Sequence, residues 1–193
     1  EQLLIPDLKG IVLIPSKEHV LQAAALEEVA GIDIIDIQLP GPSARLKTQL
    51  EPFLGKPLTL NGAYSLRNAI AKFYEEFYHP LVIVEVPTQD ISHNVLQIVV
   101  IEARLGEVKV EGNAKWSRLD EMQKSIELKP GDEINERILI RDLNFFNRSS
   151  YRKVDAIYEP GEQEATSNIL LLVQDIKPYQ FYVGTDNSGL KRT

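Results

Sequence analysis

Residues 81–103 read LVIVEVPTQDISHNVLQIVVIEA, two apolar runs separated by a polar stretch. Apolar side chains recur at every second position of the first run, the period of a β-strand with one buried face. They are Val82, Val84 and Val86. The second run, from Val95 to Ala103, follows a polar turn at residues 88–94. We therefore predict a β-hairpin over this stretch.

The hairpin completes a pattern that begins at Gly31. Residues 31–39 alternate apolar and polar side chains, as a half-buried strand does. A short helix is predicted from Ser43, and a longer one from about Thr59 to Tyr78, where Pro80 ends it. One apolar stripe runs along the longer helix, at Leu66, Ile70, Phe73 and Phe77.

The same order of elements recurs after roughly 70–75 residues, which indicates a repeated unit. The second copy has a strand at Glu107–Gly112, helices that begin at Leu119 (capped by Ser117) and Asn135, and strands at Tyr151–Glu159 and Ser167–Asp175. Each copy is therefore strand–helix–helix–strand–strand. This order predicts an α+β fold in which two helices cover one face of a three-stranded mixed sheet.

The repeat divides the chain into four parts. Residues 31–103 form the first unit and residues 104–177 the second. Residues 1–30 do not fit the repeat, and we expect them to form a separate N-terminal extension. Residues 178–193 start a further strand that the chain does not complete.

Composition excludes several classes of protein. The 193 residues include 28 acidic and 21 basic side chains, for a net charge of −7, which argues against nucleic-acid binding. There is no cysteine, so disulfides, thiolate metal sites and a cysteine nucleophile are excluded. A chain without thiols also suits an oxidising compartment such as the bacterial periplasm.

No motif for catalysis or metal binding stands out. The three histidines, His19, His79 and His93, fall in separate predicted elements, so we expect them to be solvated on the surface. Gly55-Lys56 lacks the upstream glycine and the following Ser or Thr of a phosphate loop, and no serine nucleophile motif is present. The sequence predicts no catalytic residue, no metal ligand and no cofactor.

Three stretches carry a resemblance to a known family. Residues 51–58 resemble the junction between the two helices of the first POTRA domain in two-partner secretion transporters of the haemolysin-activator type. Residues 104–113 resemble the passage into their second POTRA domain, and residues 183–189 the first strand of their outer-membrane β-barrel. Members often begin with a Gln- and Arg-rich helix that plugs the barrel, and residues 1–30 are not similar to it.

The resemblance implies two tandem POTRA domains on the periplasmic face of the bacterial outer membrane, ahead of the protein's own C-terminal barrel. It implies binding without catalysis. The partner would be a secreted exoprotein, captured unfolded through its N-terminal secretion domain and passed to the barrel. Nucleic acid is not an expected partner.

A physical argument indicates where such a partner would bind. Open strand edges are a liability unless they are used, and an extended peptide can add to one as a further strand. We expect the edge to be the first hairpin strand, flanked by tyrosines of the long helix. The predicted substrate-peptide site is Leu81, Val82, Ile83, Val84, Glu85 and Val86, with Tyr64, Tyr74 and Tyr78.

Other functions remain open from the sequence. A barrel-assembly protein uses POTRA domains on nascent outer-membrane proteins, generally with more copies of the unit. An envelope scaffold would carry an upstream membrane helix and no barrel. An enzyme would need convergent titratable groups, which the sequence does not indicate.

Overall fold

The computed structural model describes residues 3–91 and 93–177. The strands are β1 (Leu3–Ile5), β2 (Gly10–Ile14), β3 (Gly31–Ile34), β4 (Leu58–Thr59), β5 (Val82–Glu85), β6 (Val95–Glu102), β7 (Arg104–Asn113), β8 (Arg152–Pro160) and β9 (Thr166–Asp175). The helices are α1 (Ala23–Leu26), α2 (Ser43–Leu50), α3 (Leu60–Glu76), α4 (Leu119–Ser125) and α5 (Glu136–Phe146). The barrel strand expected at residues 178–193 lies outside the described residues.

The first sheet has four strands in the order β3-β2-β6-β5, one more than predicted. The extra strand, β2, pairs in parallel with both β3 and β6. The expectation that residues 1–30 form a separate extension is therefore wrong, because they supply a central strand. Its sequence, GIVLI, is buried throughout, as in strands covered on both faces.

Both faces of the first sheet are covered. Helices α2 and α3 pack on one face, with Leu46, Leu66 and Ile70 fully buried. Residues of the 15–30 segment pack on the other face. The predicted apolar stripe of α3 is buried at Leu66, Ile70 and Phe73 and half-buried at Phe77.

A buried glutamine ties the 15–30 segment to the sheet. Gln97 in β6 has no exposed surface. Its side-chain Oε1 accepts a hydrogen bond from the Leu21 N–H at 2.7 Å, and its Nε2 donates to the Leu21 C=O at 3.0 Å. One side chain therefore satisfies both backbone groups of a residue that no strand pairs with.

The second unit has the predicted architecture. Its sheet runs β7-β9-β8, with β7 parallel and β8 antiparallel to β9. Its core combines residues from α4 and α5 with residues from the sheet: Met122, Leu139, Phe146, Val154, Ile169, Leu171 and Val173. The α+β class with mixed sheets is thus confirmed. Within the described residues, no helix has the length and apolar character needed to cross a bilayer.

Asp175, at the end of β9, holds the segment before α4. Its carboxylate accepts hydrogen bonds from the Ser117 hydroxyl at 2.6 Å and from the N–H groups of Trp116 and Ser117 at 2.8 and 2.9 Å. The prediction that Ser117 caps the helix is therefore wrong, since Arg118 is the N-cap residue and makes no side-chain cap.

We predict that Asp175→Asn destabilises the protein at pH 7 and not at low pH. Partial burial works to raise the pKa of the Asp175 carboxyl, but the hydrogen bonds from Ser117 and Trp116 outweigh it and lower the pKa. A carboxyl whose pKa is lowered by folding stabilises the folded protein at pH values above its unfolded-state pKa of about 3.9. This stabilisation is lost as the pH falls through the folded-state pKa.

Urea unfolding of both proteins at several pH values measures the effect. The gap in free energy of unfolding should be constant above about pH 5 and close as the pH falls below the unfolded-state pKa. A gap that persists unchanged at pH 2 would show that the hydrogen bonds to this carboxylate are not its origin.

Candidate functional site

β5 is the last strand of the first sheet, and no strand in residues 3–91 and 93–177 pairs with its outer side. The Ala103 N–H donates a 2.9 Å hydrogen bond to the Leu81 C=O, which continues the register of β5 with β6. In antiparallel pairing, residues that bond to the neighbouring strand alternate with residues whose N–H and C=O groups point away. Val82 and Val84 therefore direct their backbone groups to the open side.

The side chains of β5 hold the strand in place. Val84 is 4% exposed and, with Val82, packs in the core beneath α3. On the opposite face, the Glu85 carboxylate forms a 2.9 Å ion pair with Lys17. Val86, just after the strand, is exposed. The predicted peptide site thus coincides with an anchored edge strand whose backbone is available.

The tyrosines predicted to flank this edge lie in different surroundings. Tyr64 is exposed on the surface of α3. Tyr74 is 1% exposed and packs edge-to-face on Phe73 in the core, so its predicted place in a surface groove is wrong. Burial raises the pKa of the Tyr74 hydroxyl, and the carboxylates of Glu102 and Glu133 raise it further.

Helical spacing places Tyr64 on the side of α3 away from the helix contact with α2. Helical spacing places Arg67 on the side of α3 opposite to Glu76, whose carboxylate binds Arg45 of α2 at 2.7 Å. Tyr64 shares the Arg67 side, and α3 packs on β5. An extended segment beside β5 would therefore meet an aromatic and a basic side chain.

Tyr78 belongs to the junction between the two units. It has a φ of +67°, and the Tyr78 and His79 N–H groups bond to the carbonyls of Glu75 and Tyr74, which is a Schellman ending of α3. The Tyr78 C=O accepts a 2.8 Å hydrogen bond from the Glu136 N–H of the second unit.

Leu81 also contacts the second unit, since its side chain packs against the second core. The start of the predicted site is therefore covered by the second unit. The accessible part of the β5 edge begins at Val82.

The corresponding edge of the second unit is covered by a side chain at one residue, Val154. The Tyr151 C=O and the Gly161 N–H, at the two ends of β8, both bond to the neighbouring strand segment. In antiparallel pairing every second residue bonds in this way, so the odd-numbered residues face β9 and the backbone of Val154 faces away from it. Asn147 donates to the Val154 C=O at 2.9 Å and accepts from its N–H at 2.7 Å. Asn147 occupies the C-cap position of α5, where α3 has Phe77.

This difference was present in the sequence but had no recognisable signal. An asparagine after a helix is ordinary, and its bonds to β8 depend on how the helix packs. The structure thus distinguishes two hairpin edges that the repeat made equivalent: among the described residues, a side chain covers the backbone of Val154 in β8, and none does so at Val82 or Val84 in β5.

His79 is not a solvated surface residue, contrary to our expectation. It is 8% exposed, and its Nδ1 contacts the Glu102 carboxylate. Its Nε2 lies 3.3 Å from the Asn135 Nδ2. No spacing could have indicated this group, since its members are far apart along the chain. His19 is exposed, as expected, and His93 is half-buried.

Residues 28–103 match the family model of the POTRA domain, ShlB-type. Residues 28–103 therefore carry a POTRA domain of the ShlB type, as the resemblance predicted for the first unit.

Two curated relatives are similar over most of this chain. It is 24% identical over 150 residues to the heme/hemopexin transporter protein HuxB of Haemophilus influenzae, covering 75% of this chain and 26% of that protein. It is 28% identical over 154 residues to the outer membrane transporter CdiB of Escherichia coli, covering 78% and 25% respectively. The chain therefore spans about a quarter of the length of these relatives.

Solved structures agree with this fold. CdiB from Escherichia coli superposes with a TM-score of 0.64 at 19% identity, over 88% of this chain and 27% of that one. POTRA domains 1–3 of Omp85 from Anabaena give a TM-score of 0.62 at 18% identity, over 89% of this chain and 66% of that one. At these identities the likeness shows the fold alone.

Proposed function

We propose that this chain is the periplasmic substrate-recognition region of an outer-membrane two-partner secretion transporter. It binds the secretion domain of an unfolded exoprotein by strand addition to β5 and delivers it to a barrel that follows. In this proposal residues 31–103, completed by β2, form the first POTRA domain, residues 104–177 form the second, and residues 178–193 lead into the barrel. The single observation that carries the binding step is the open backbone of Val82 and Val84.

Strand addition suits an unfolded cargo because the backbone supplies most of the affinity. Val82 and Val84 each offer an N–H donor and a C=O acceptor, whatever side chains the incoming segment carries. Alternate side chains of that segment would face the α3 flank, where Tyr64 and Arg67 can select for apolar or acidic residues.

The expected affinity is modest, which a transfer step requires. A hydrogen bond contributes roughly 0.5–1.5 kcal/mol net, and ordering a disordered segment costs several kcal/mol. Four bonds of this kind contribute about 2–6 kcal/mol, most of which the ordering cost offsets, so the complex is weak and dissociates readily. Such a complex holds cargo near the membrane without trapping it.

Val84→Pro tests the proposal at the open edge. Proline removes the N–H that faces outward and leaves the bonds between β5 and β6 intact, since Val84 does not donate to β6. We expect affinity for the secretion domain of the exoprotein encoded beside the transporter gene to fall by roughly tenfold or more. Isothermal titration calorimetry with the unfolded secretion domain measures it.

Ala156→Pro is the matched control. Ala156 faces outward in β8, on the equivalent edge of the second unit, so this change also removes an outward N–H. We expect its affinity to be that of the unchanged protein. The proposal is contradicted if Val84→Pro retains full affinity with an intact circular-dichroism spectrum, or if both variants weaken binding equally.

A further inference from the structure

Three potential metal ligands meet where the two units join. In residues 3–91 and 93–177, one ligand atom from each of His79, Glu102 and Glu133 can be chosen so that all lie within 4.8 Å of one another. His79 follows α3 and Glu102 ends β6, so both belong to the first unit. Glu133 lies in the second unit, between α4 and α5.

The backbone of each residue is held in place. The Schellman ending of α3 fixes His79, and Glu102 pairs with Val82 in the sheet. Glu133 forms an antiparallel bridge with Arg104. The side chains of His79 and Glu102 are 10% and 15% exposed, so the group is largely shielded from water.

The contacts around His79 leave one nitrogen for a cation. Asn135 accepts from the Arg137 N–H with its Oδ1, so its Nδ2 is the atom that faces His79. While that Nδ2 donates to Nε2, Nδ1 carries the imidazole proton and donates it to the Glu102 carboxylate. An ion bound at Nδ1 replaces this proton, and the remaining imidazole proton then lies on Nε2, where the Asn135 amide has to turn its oxygen toward it. Nδ1 is also the atom that faces the Glu102 carboxylate.

The charges favour a cation at the same place. Two carboxylates approach each other with one fixed positive charge nearby, the Arg104 guanidinium, which contacts Glu133 at 3.2 Å. A divalent ion between imidazole and carboxylates offsets the remaining repulsion. One nitrogen and two carboxylate oxygens form a donor set that suits Zn²⁺ and similar first-row ions, whereas Mg²⁺ prefers oxygen alone.

We propose that His79, Glu102 and Glu133 bind a divalent transition-metal ion of the Zn²⁺ class. Because the ligands come from both units, the bound ion links the first unit to the second. None of the three ligands belongs to the β5 edge, although Glu102 pairs with Val82, so the proposal does not rest on peptide binding.

Zn²⁺ titration of the full chain tests the site. We expect saturable binding of about one ion per chain by calorimetry, with a concentration-dependent rise in the melting midpoint. The background is low, because the chain has no cysteine and three histidines. Mg²⁺ at the same concentration should give neither effect.

Glu133→Gln and His79→Gln should each abolish the calorimetric binding and the rise in melting midpoint. The Glu133 side chain is 35% exposed, so Glu133→Gln should fold even if His79→Gln does not. His19→Ala, an exposed histidine on the same chain, is the matched control and should bind normally.

Two results would overturn the proposal. One is the absence of saturable Zn²⁺ binding by the unchanged chain. The other is binding that survives Glu133→Gln, or that His19→Ala removes, because the ion would then be held elsewhere.

Discussion

Removing residues 1–15 will unfold the first unit and leave the second folded. The deletion takes away β2, the strand between β3 and β6, with four side chains that have no exposed surface. They are Ile11, Val12, Leu13 and Ile14. Burial of each contributes about 1.5–3 kcal/mol, and a domain has only about 5–15 kcal/mol of net stability. The remaining strands would also lose the partner that joins them.

Hydrogen exchange measures the outcome region by region. Amides of β6 and α3 should lose protection in the deletion variant, while amides of β9 keep theirs. The only tryptophan, Trp116, is in the second unit and reports on that unit by fluorescence.

A point substitution separates loss of the strand from loss of chain length. Leu13→Ala should cost about 2–5 kcal/mol of stability, as core truncations do, whereas Lys9→Ala, an exposed residue of the same segment, should cost little. Protected β6 amides after the deletion would mean that residues 1–15 are dispensable after all.

Gln97→Leu should destabilise the first unit by roughly 2–4 kcal/mol, although it places an apolar side chain in an apolar setting. The reason is that the Leu21 N–H and C=O both bond to the Gln97 amide and would be left unpaired. Each backbone group that is buried without a partner costs about 1–3 kcal/mol.

Gln97→Glu is the informative comparison. A carboxylate still accepts from the Leu21 N–H but cannot donate to its C=O, and its charge would be buried. Urea unfolding at neutral pH should therefore give Gln97→Glu a lower free energy of unfolding than the unchanged protein. A Gln97→Leu variant as stable as the unchanged protein would show that the 15–30 segment does not need this anchor.

A second glutamine side chain, at the end of β5, also bonds to both backbone groups of one residue. Extending the register of β5 and β6 places Pro87 opposite Gln97, and proline has no N–H to offer. The Gln89 side chain takes its place, donating to the Gln97 C=O and accepting from its N–H, both at 2.7 Å. Because the Gln89 side chain bonds to Gln97 in place of the Pro87 backbone, the pairing of β5 with β6 ends there and β5 stays short.

Local patterns predicted the elements of the repeat correctly. The alternation in β5 and the stripe of Leu66, Ile70 and Phe73 in α3 depend on which side chains follow one another, and this is readable from neighbours. The same reasoning did not place β2 in the first sheet, because its five buried residues show no alternation. An apolar run without a period indicates burial on both faces but does not name its neighbours in the sheet.

The predictions for Tyr74 and His79 were wrong for a related reason. Tyr64 and Tyr74 lie on the same helix, but Tyr64 is exposed and Tyr74 is buried. The difference depends on the rotation of α3 about its axis against the sheet, which helical spacing predicts only to within a fraction of a turn. His79 meets Glu102 and Glu133 through the junction of the two units. Pairings of this kind have no local signature.

Periodicity along the chain was enough to determine two α+β units of one design, because strand and helix periods are properties of consecutive residues. Only the packed structure decided that a side chain covers the hairpin edge of the second unit at Val154, since that depends on Asn147 reaching the Val154 backbone, whereas Phe77 in the equivalent position has no polar side-chain atom to offer β5. It also decided that the first thirty residues belong to the first sheet. Both outcomes rest on contacts between distant residues, whose free energy no local pattern encodes.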